Sequence, residues 1–164
     1  ILTQINLFFK KHNMKKKSLN AKKIIHKNLL NNLKNPKILK IYNEFKKCLF
    51  NNFKQKKIAV AVSGGSDSLA LSYFAKCFSI LYKTEIKFYH VDHKLRKNSS
   101  KEALSLKLQL LQHDINCKIL IWKGKKPKSN IQSIARTKRY DLIIKEIRKN
   151  KTNFILVGHH LDDL

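Results

Sequence analysis

Four short runs rich in β-branched and aromatic residues, KIAVAVS (57–63), EIKFYHVD (85–92), CKILIW (117–122) and FILVGHH (154–160), are separated by three stretches of helical period. Short apolar runs of this composition read as strands, and apolar residues recurring every three or four positions read as helices. The helices are expected from about Ser68 to Tyr82, with Leu71, Phe74, Phe78 and Leu81 on one stripe, then from Ser99 to His113, and from an N-cap at Asn130 to about Lys149. Ser99 followed by Glu102 has the form of a capping box. Strict alternation of strand and helix predicts an α/β fold: a Rossmann-like parallel sheet with right-handed crossovers and helices on both faces. Ligands of such sheets bind beyond the carboxyl ends of the strands. The polar clusters of this chain fall there: Ser63–Ser68 after the first strand, Asp92-His93 after the second, and His159–Asp163 after the fourth. This edge is the expected site.

The segment before the first strand differs in kind. Residues 1–57 hold 16 lysines against one acid, Glu44, and no glycine. Ile25, Leu29 and Leu33, then Ile38, Ile41, Tyr42, Phe45 and Leu49, recur at helical spacing and predict two helices divided at Asn35-Pro36. The expected division is therefore a basic helical N-terminal extension, 1–56, followed by the α/β domain, 57–164.

Charge narrows the partners. Lysine and arginine exceed the acids by 36 − 10 = 26, which points to a polyanion such as nucleic acid, although biased coding composition also enriches Lys, Asn and Ile. Cys48, Cys77 and Cys117 are far apart and form no C-x-x-C pair, which argues against a zinc ribbon or a disulfide framework and for a reducing compartment. No apolar run reaches the roughly 18 residues that span a bilayer. The opening ILTQINLFF is followed, not preceded, by basic residues, the reverse of a secretory signal, so a cytoplasmic location without a membrane partner is expected. The only methionine is Met14, and the chain ends at Leu164 just after a cluster of histidines and acids. The expectation is a fragment that starts at Ile1 or Met14 and is truncated at its C-terminal end.

The turn S-G-G-S-D-S, Ser63–Ser68, carries the most chemistry. It lacks the lysine of a Walker A loop, and Gly64-Gly65 stands alone without the G-x-G-x-x-G spacing of a dinucleotide fingerprint. A helix start offers unpaired N–H groups and a partial positive charge to an anion, and Ser63, Ser66 and Ser68 add hydroxyls. Asp67 would repel phosphate directly, so its reasonable task is to hold Mg²⁺ that bridges phosphate oxygens. The competing reading is a tight strand-to-helix turn with an N-capping serine.

This hexapeptide resembles the signature of the N-type ATP pyrophosphatases, the PP-loop enzymes. HVDHKLRKNSSKEA (90–103), KPKSNIQSIARTKRY (126–140) and GHHLDD (158–163) resemble segments of one group among them, the tRNA(Ile)-lysidine synthetases, and the likeness covers roughly 57–164. Lys94 stands where that group has glycine. If the position needs positive φ, lysine costs about 1 kcal/mol there. The E-T that follows H-H-x-D-D in the group is not in the chain, nor are its later tRNA-binding domains.

The resemblance implies ATP and Mg²⁺ as cofactors, and tRNA(Ile) and free lysine as partners. ATP would adenylate the C2 oxygen of the wobble cytidine of a CAU anticodon, releasing pyrophosphate. The lysine amino group would then attack C2 and expel AMP. Ser63, Gly64, Gly65, Ser66, Asp67 and Ser68 would hold ATP, with Asp92, His93 and His159 lining its site. Arg136 is the expected cation beside the phosphates, while Arg139 reads as structural. Asp162 and Asp163 would bind metal, orient the lysine ammonium or act as base, though one of them is expected to cap a helix. One of His159 and His160, and Trp122 at the end of its strand, read as packing residues. Three rivals stand beside this reading. A thiolation enzyme of the iron–sulfur type needs a cysteine pair beyond the third strand, and none is present there. A metal-dependent phosphoesterase would use Asp92, His93, His159, His160, Asp162 and Asp163 as ligands but leaves S-G-G-S-D-S unexplained. A non-catalytic ATP- and RNA-binding remnant is the third.

Overall fold

The computed structural model describes residues 18–53, 57–124, 127, 129–152 and 154–158. Helix α1 spans 18–31, and one 3-10 turn, Asn32–Lys34, leads into α2, Pro36–Phe53. The break falls at Asn35-Pro36, as its chemistry demands. The Asn35 carboxamide oxygen accepts the backbone N–H groups of Lys37 (3.0 Å) and Ile38 (3.4 Å), and Pro36 needs no partner in the first turn.

Beyond α2 the elements alternate: β1 Ile58–Ala61, α3 Ser66–Tyr82, β2 Ile86–Asp92, α4 Ser99–Leu111, β3 Cys117–Ile121, α5 Ile131–Lys149 and β4 Phe154–Val157. All three strand pairings are parallel, in the order β3-β2-β1-β4. Register runs from Ile58 opposite Ile86 and Phe154 to Ala61 opposite Tyr89 and Val157. The central strand β1 is buried at every position, as a strand covered on both faces must be.

Its side chains alternate between two cores. Val60 and Val62 join Phe88, Ala75 of α3 and Leu106 and Leu110 of α4 on one face. Ala59 and Ala61 join Tyr89, Val91 and Ile143 and Ile147 of α5 on the other. Ile58 meets Leu49 of α2 and Phe78 of α3, and Leu29 and Leu33 meet Tyr42 and Cys77. The α1–α2 hairpin thus packs on α3, the helix that follows the glycine turn.

Local expectations fail at four places. Ile41 and Leu81 carry the helical period but are 60% and 47% exposed, because the apolar stripe is narrower than the period suggests. The Ser99–Glu102 capping box does not form: Ser99 is already helical, Asn98 takes the cap position, and its carbonyl accepts the Glu102 amide at 3.0 Å. Helix α3 begins at Ser66, earlier than expected, since Gly65 is the residue in extended geometry (φ −75°, ψ 164°). Asn130 does precede α5, yet it sits in the left-handed region and makes no side-chain cap.

Candidate functional site

Parallel register brings the carboxyl ends of all four strands to one edge, where the turn after β1 lies between the ends of β2 and β4. The turn is built around Ser68, which is 2% exposed. Its hydroxyl donates to the Gly65 carbonyl at 2.9 Å. The same oxygen receives the N–H groups of Ser63 (3.2 Å) and Gly64 (3.1 Å) and the Ser63 hydroxyl (2.9 Å). A hydroxyl oxygen has two acceptor sites, so three donors share it imperfectly.

Gly64 has φ +96°, a conformation that L side chains rarely adopt, and this lets the chain reverse between β1 and α3. No side chain caps the start of α3, which leaves its positive dipole end facing the turn. The Ser66 hydroxyl lies 3.4 Å from a carboxylate oxygen of Asp67 in the first helical turn. Two long-range bonds fix the end of β1. The Val62 N–H donates to the Tyr89 carbonyl, and the Val62 carbonyl lies 2.8 Å from Nδ1 of His90.

Asp92, at the end of β2, turns its side chain into its own loop. It is 4% exposed and accepts the Ser100 hydroxyl at 2.6 Å and the Lys94 amide at 2.9 Å. Burial works to raise its pKa, but these hydrogen bonds outweigh burial and hold the carboxyl below its ordinary range. They also hold Lys94 at φ 52°, the left-handed geometry that makes glycine the easier residue there.

The neighbouring His93 has both ring nitrogens buried without a partner among the described residues. Its ring stands edge-on to Trp122, with centroids 6.4 Å apart, and Trp122 is half-buried at the end of β3. Burial first, then the coulombic influence of Arg139 and His90, lowers the His93 pKa against the opposing pull of Asp92.

A small cleft opens beside the turn, and Ala61, Ser63, Ser68, Arg139, Tyr140, Val157 and Gly158 line it. Of Arg136 and Arg139 it is Arg139 that lines this cleft; Arg136, one turn earlier on α5, is half-buried. Gly158 closes the floor, its backbone pressed against the first turn of α3. In the sequence Gly158 and His90 entered only as the first residues of GHHLDD and HVDHKLRKNSSKEA; the close approach of Gly158 to α3 and the bond of His90 to the Val62 carbonyl come from the structure. His159, His160, Asp162 and Asp163 lie outside the described residues.

A parallel sheet covered on both faces, with a glycine–serine turn and an uncapped helix start at its carboxyl edge, defines the class: an α/β domain shaped to hold an anionic ligand at that edge. A family model described as the PP-loop domain matches residues 35–164, and the chain belongs to that family. It is similar to the tRNA(Ile)-lysidine synthase of Bartonella quintana (strain Toulouse), 47% identical over 112 residues, which are 66% of this chain and 23% of that protein. It is also similar to the tRNA(Ile)-lysidine synthase of Rickettsia akari (strain Hartford), 38% identical over 117 residues, 70% of this chain and 27% of that protein. The chain spans about a quarter of the length of these relatives. Among solved structures, the U34-tRNA thiolase NcsA from Methanococcus maripaludis, with its 4Fe-4S cluster, shares the fold. Its TM-score is 0.56 at 22% identity, over 66% of this chain and 40% of that one.

Proposed function

We propose that this chain carries the ATP site of a tRNA(Ile)-lysidine synthetase, which joins lysine to C2 of the wobble cytidine of tRNA(Ile). The observation that carries the reading is the Ser63–Ser68 turn at the start of α3, in a chain 47% identical over its matched part to a protein of that name.

In this reading the amides of Ser63 and Gly64, with the hydroxyls of Ser63 and Ser66, hold the ATP phosphates, and Ser68 positions them by organising the turn. Asp67 and these hydroxyls are hard oxygen donors of the type Mg²⁺ takes. Mg²⁺ there would neutralise charge on the pyrophosphate leaving group. The helix start of α3 and the guanidinium of Arg139 supply fixed positive charge for the same purpose, with Arg136 as a second contributor nearer the edge. The loop after β2, held by Asp92, offers backbone groups to the adenosine, and His93 borders it. Asp162 and Asp163, which follow β4 in the sequence, would orient the lysine and take its ammonium proton, and His159 would line the ATP site.

Chemistry then runs in two displacements. The cytidine O2 attacks the α-phosphorus and pyrophosphate leaves. The lysine amine attacks C2, loses its proton and expels AMP.

The test incubates the chain with ATP, Mg²⁺, radiolabelled lysine and a tRNA transcript bearing CAU. The expected result is pyrophosphate release together with label on the tRNA, both abolished when cytidine at the wobble position is replaced by uridine. ATP binding with no label transferred would overturn the lysidine reading in favour of a non-catalytic ATP- and RNA-binding role.

A further inference from the structure

We infer that the outer face of the α1–α2 hairpin is a docking surface for the phosphate backbone of RNA. Between residues 18 and 53 the chain carries eight lysines and one acid. The inner face of the hairpin is fully used. Leu29, Leu33 and Tyr42 pack on Cys77 and Phe74 of α3, and Asp114, in the turn before β3, ties α1 to α3. That carboxylate lies 2.8 Å from His26, 2.7 Å from Lys76 and 3.8 Å from Lys22.

Lys23, Lys27, Lys34, Lys37 and Lys40 remain outside, all exposed and without an acidic partner among the described residues. The acids that could serve them act elsewhere: Glu44 on Lys47, Glu85 on Lys57 and Lys87, Glu146 on Lys118, Asp141 on Lys138. Lys23 and Lys27 are four residues apart and Lys37 and Lys40 three apart on their helices, spacings at which like charges face and repel one another. A polyanion relieves that repulsion. Exposed Asn20, Asn28, Asn31 and Asn32 lie between the lysines and can donate further hydrogen bonds to phosphate oxygens.

An anionic membrane is the other polyanionic surface, but insertion needs a continuous apolar face. Here the apolar stripe is buried against α3, and the exposed apolar residues Leu19, Ile24, Leu39 and Ile41 are interrupted along the chain by lysines and asparagine, with no continuous apolar run. RNA is therefore the occupant. Because α1 is anchored to α3, whose first turn forms the ATP site, RNA held on the hairpin is held in a fixed relation to that site. The choice of RNA rests on the tRNA reading above; the surface itself does not depend on lysidine chemistry.

The experiment replaces the five lysines together, Lys23→Gln, Lys27→Gln, Lys34→Gln, Lys37→Gln and Lys40→Gln, in the full chain. Binding of a tRNA transcript is measured across salt concentrations, with circular dichroism as the folding control and five-fold Lys→Arg replacement as the rescue. The expected result is at least about tenfold weaker binding and a log–log salt slope reduced by about three or more, restored by arginine. Native Kd and slope in the glutamine variant would overturn the inference even if lysine transfer persists. Lysine-dependent capture of phosphatidylserine vesicles with unchanged RNA binding would also overturn it, in favour of a membrane. Loss of RNA binding as expected, with no lysine transferred by the native chain, supports the surface while removing the lysidine reading.

Discussion

Gly158 and Ser68 touch backbone to backbone: a Cβ on Gly158 would lie 2.9 Å from the Ser68 amide nitrogen and 3.0 Å from its Cα. The end of β4 therefore serves as a rigid backing for the turn that holds Ser63 and Gly64. Neither partner can withdraw easily, since Ser68 is buried and hydrogen-bonded within the turn. Gly158→Ala is expected to cost about 1–3 kcal/mol of stability, the range for overpacking. Thermal melting with and without ATP checks it, and the ATP-induced rise in Tm should shrink as well. An unchanged Tm would mean that β4 and α3 are not rigidly apposed.

Arg139 acts on two neighbours, the cleft beside Ser63 and the ring of His93. Arg139→Met removes one of the causes that lower the His93 pKa, so the ring should titrate at higher pH, as read by NMR of its carbon-bound protons. Loss of a charge-assisted bond to phosphate should weaken ATP binding by about tenfold or more. Arg136→Met should leave the His93 titration where it is. Equal effects of the two replacements on ATP and on His93 would remove the distinction drawn between them.

Lys94 holds a left-handed backbone at φ 52° under the grip of Asp92. A side chain in this region costs about 1–2 kcal/mol, whereas glycine adds unfolded-state freedom of about 0.5–1 kcal/mol. Lys94→Gly is therefore expected to stabilise the fold by roughly 0.5 kcal/mol, measured as a higher urea midpoint. Lys94→Val should do the opposite, because a β-branched side chain fits the left-handed region worst.

Asp114 predicts a pH dependence. Burial raises its pKa, but hydrogen bonds from Lys76 and His26 outweigh burial and hold the carboxyl below its ordinary value. A depressed acid contributes stability that is fully present above its unfolded pKa, about 3.9, and is lost as pH falls through the lower folded value. Asp114→Asn should cost about 1–3 kcal/mol at pH 7. Urea unfolding of both proteins should converge as pH drops below about 4. Hydrogen exchange should show α1 loosening first. A constant difference across that range would mean that the charge of Asp114 contributes nothing to docking α1.

Much of this protein was legible in its residues. The alternation of elements, the break at Asn35-Pro36 and the edge where Ser63–Ser68 and Asp92-His93 gather follow from local chemistry: side-chain branching, helical period, and the special backbone needs of glycine and proline. Other features were not legible, because they depend on neighbours distant in sequence. The strand order β3-β2-β1-β4, the exposure of Ile41 and Leu81, and the role of Asn98 rather than Ser99 at the start of α4 were decided by packing. Only the tertiary structure put Arg139 in the cleft, Gly158 against Ser68, and Asp114 between α1 and α3. Such contacts join residues tens of positions apart, and no periodicity along the chain records which face of one element will meet another.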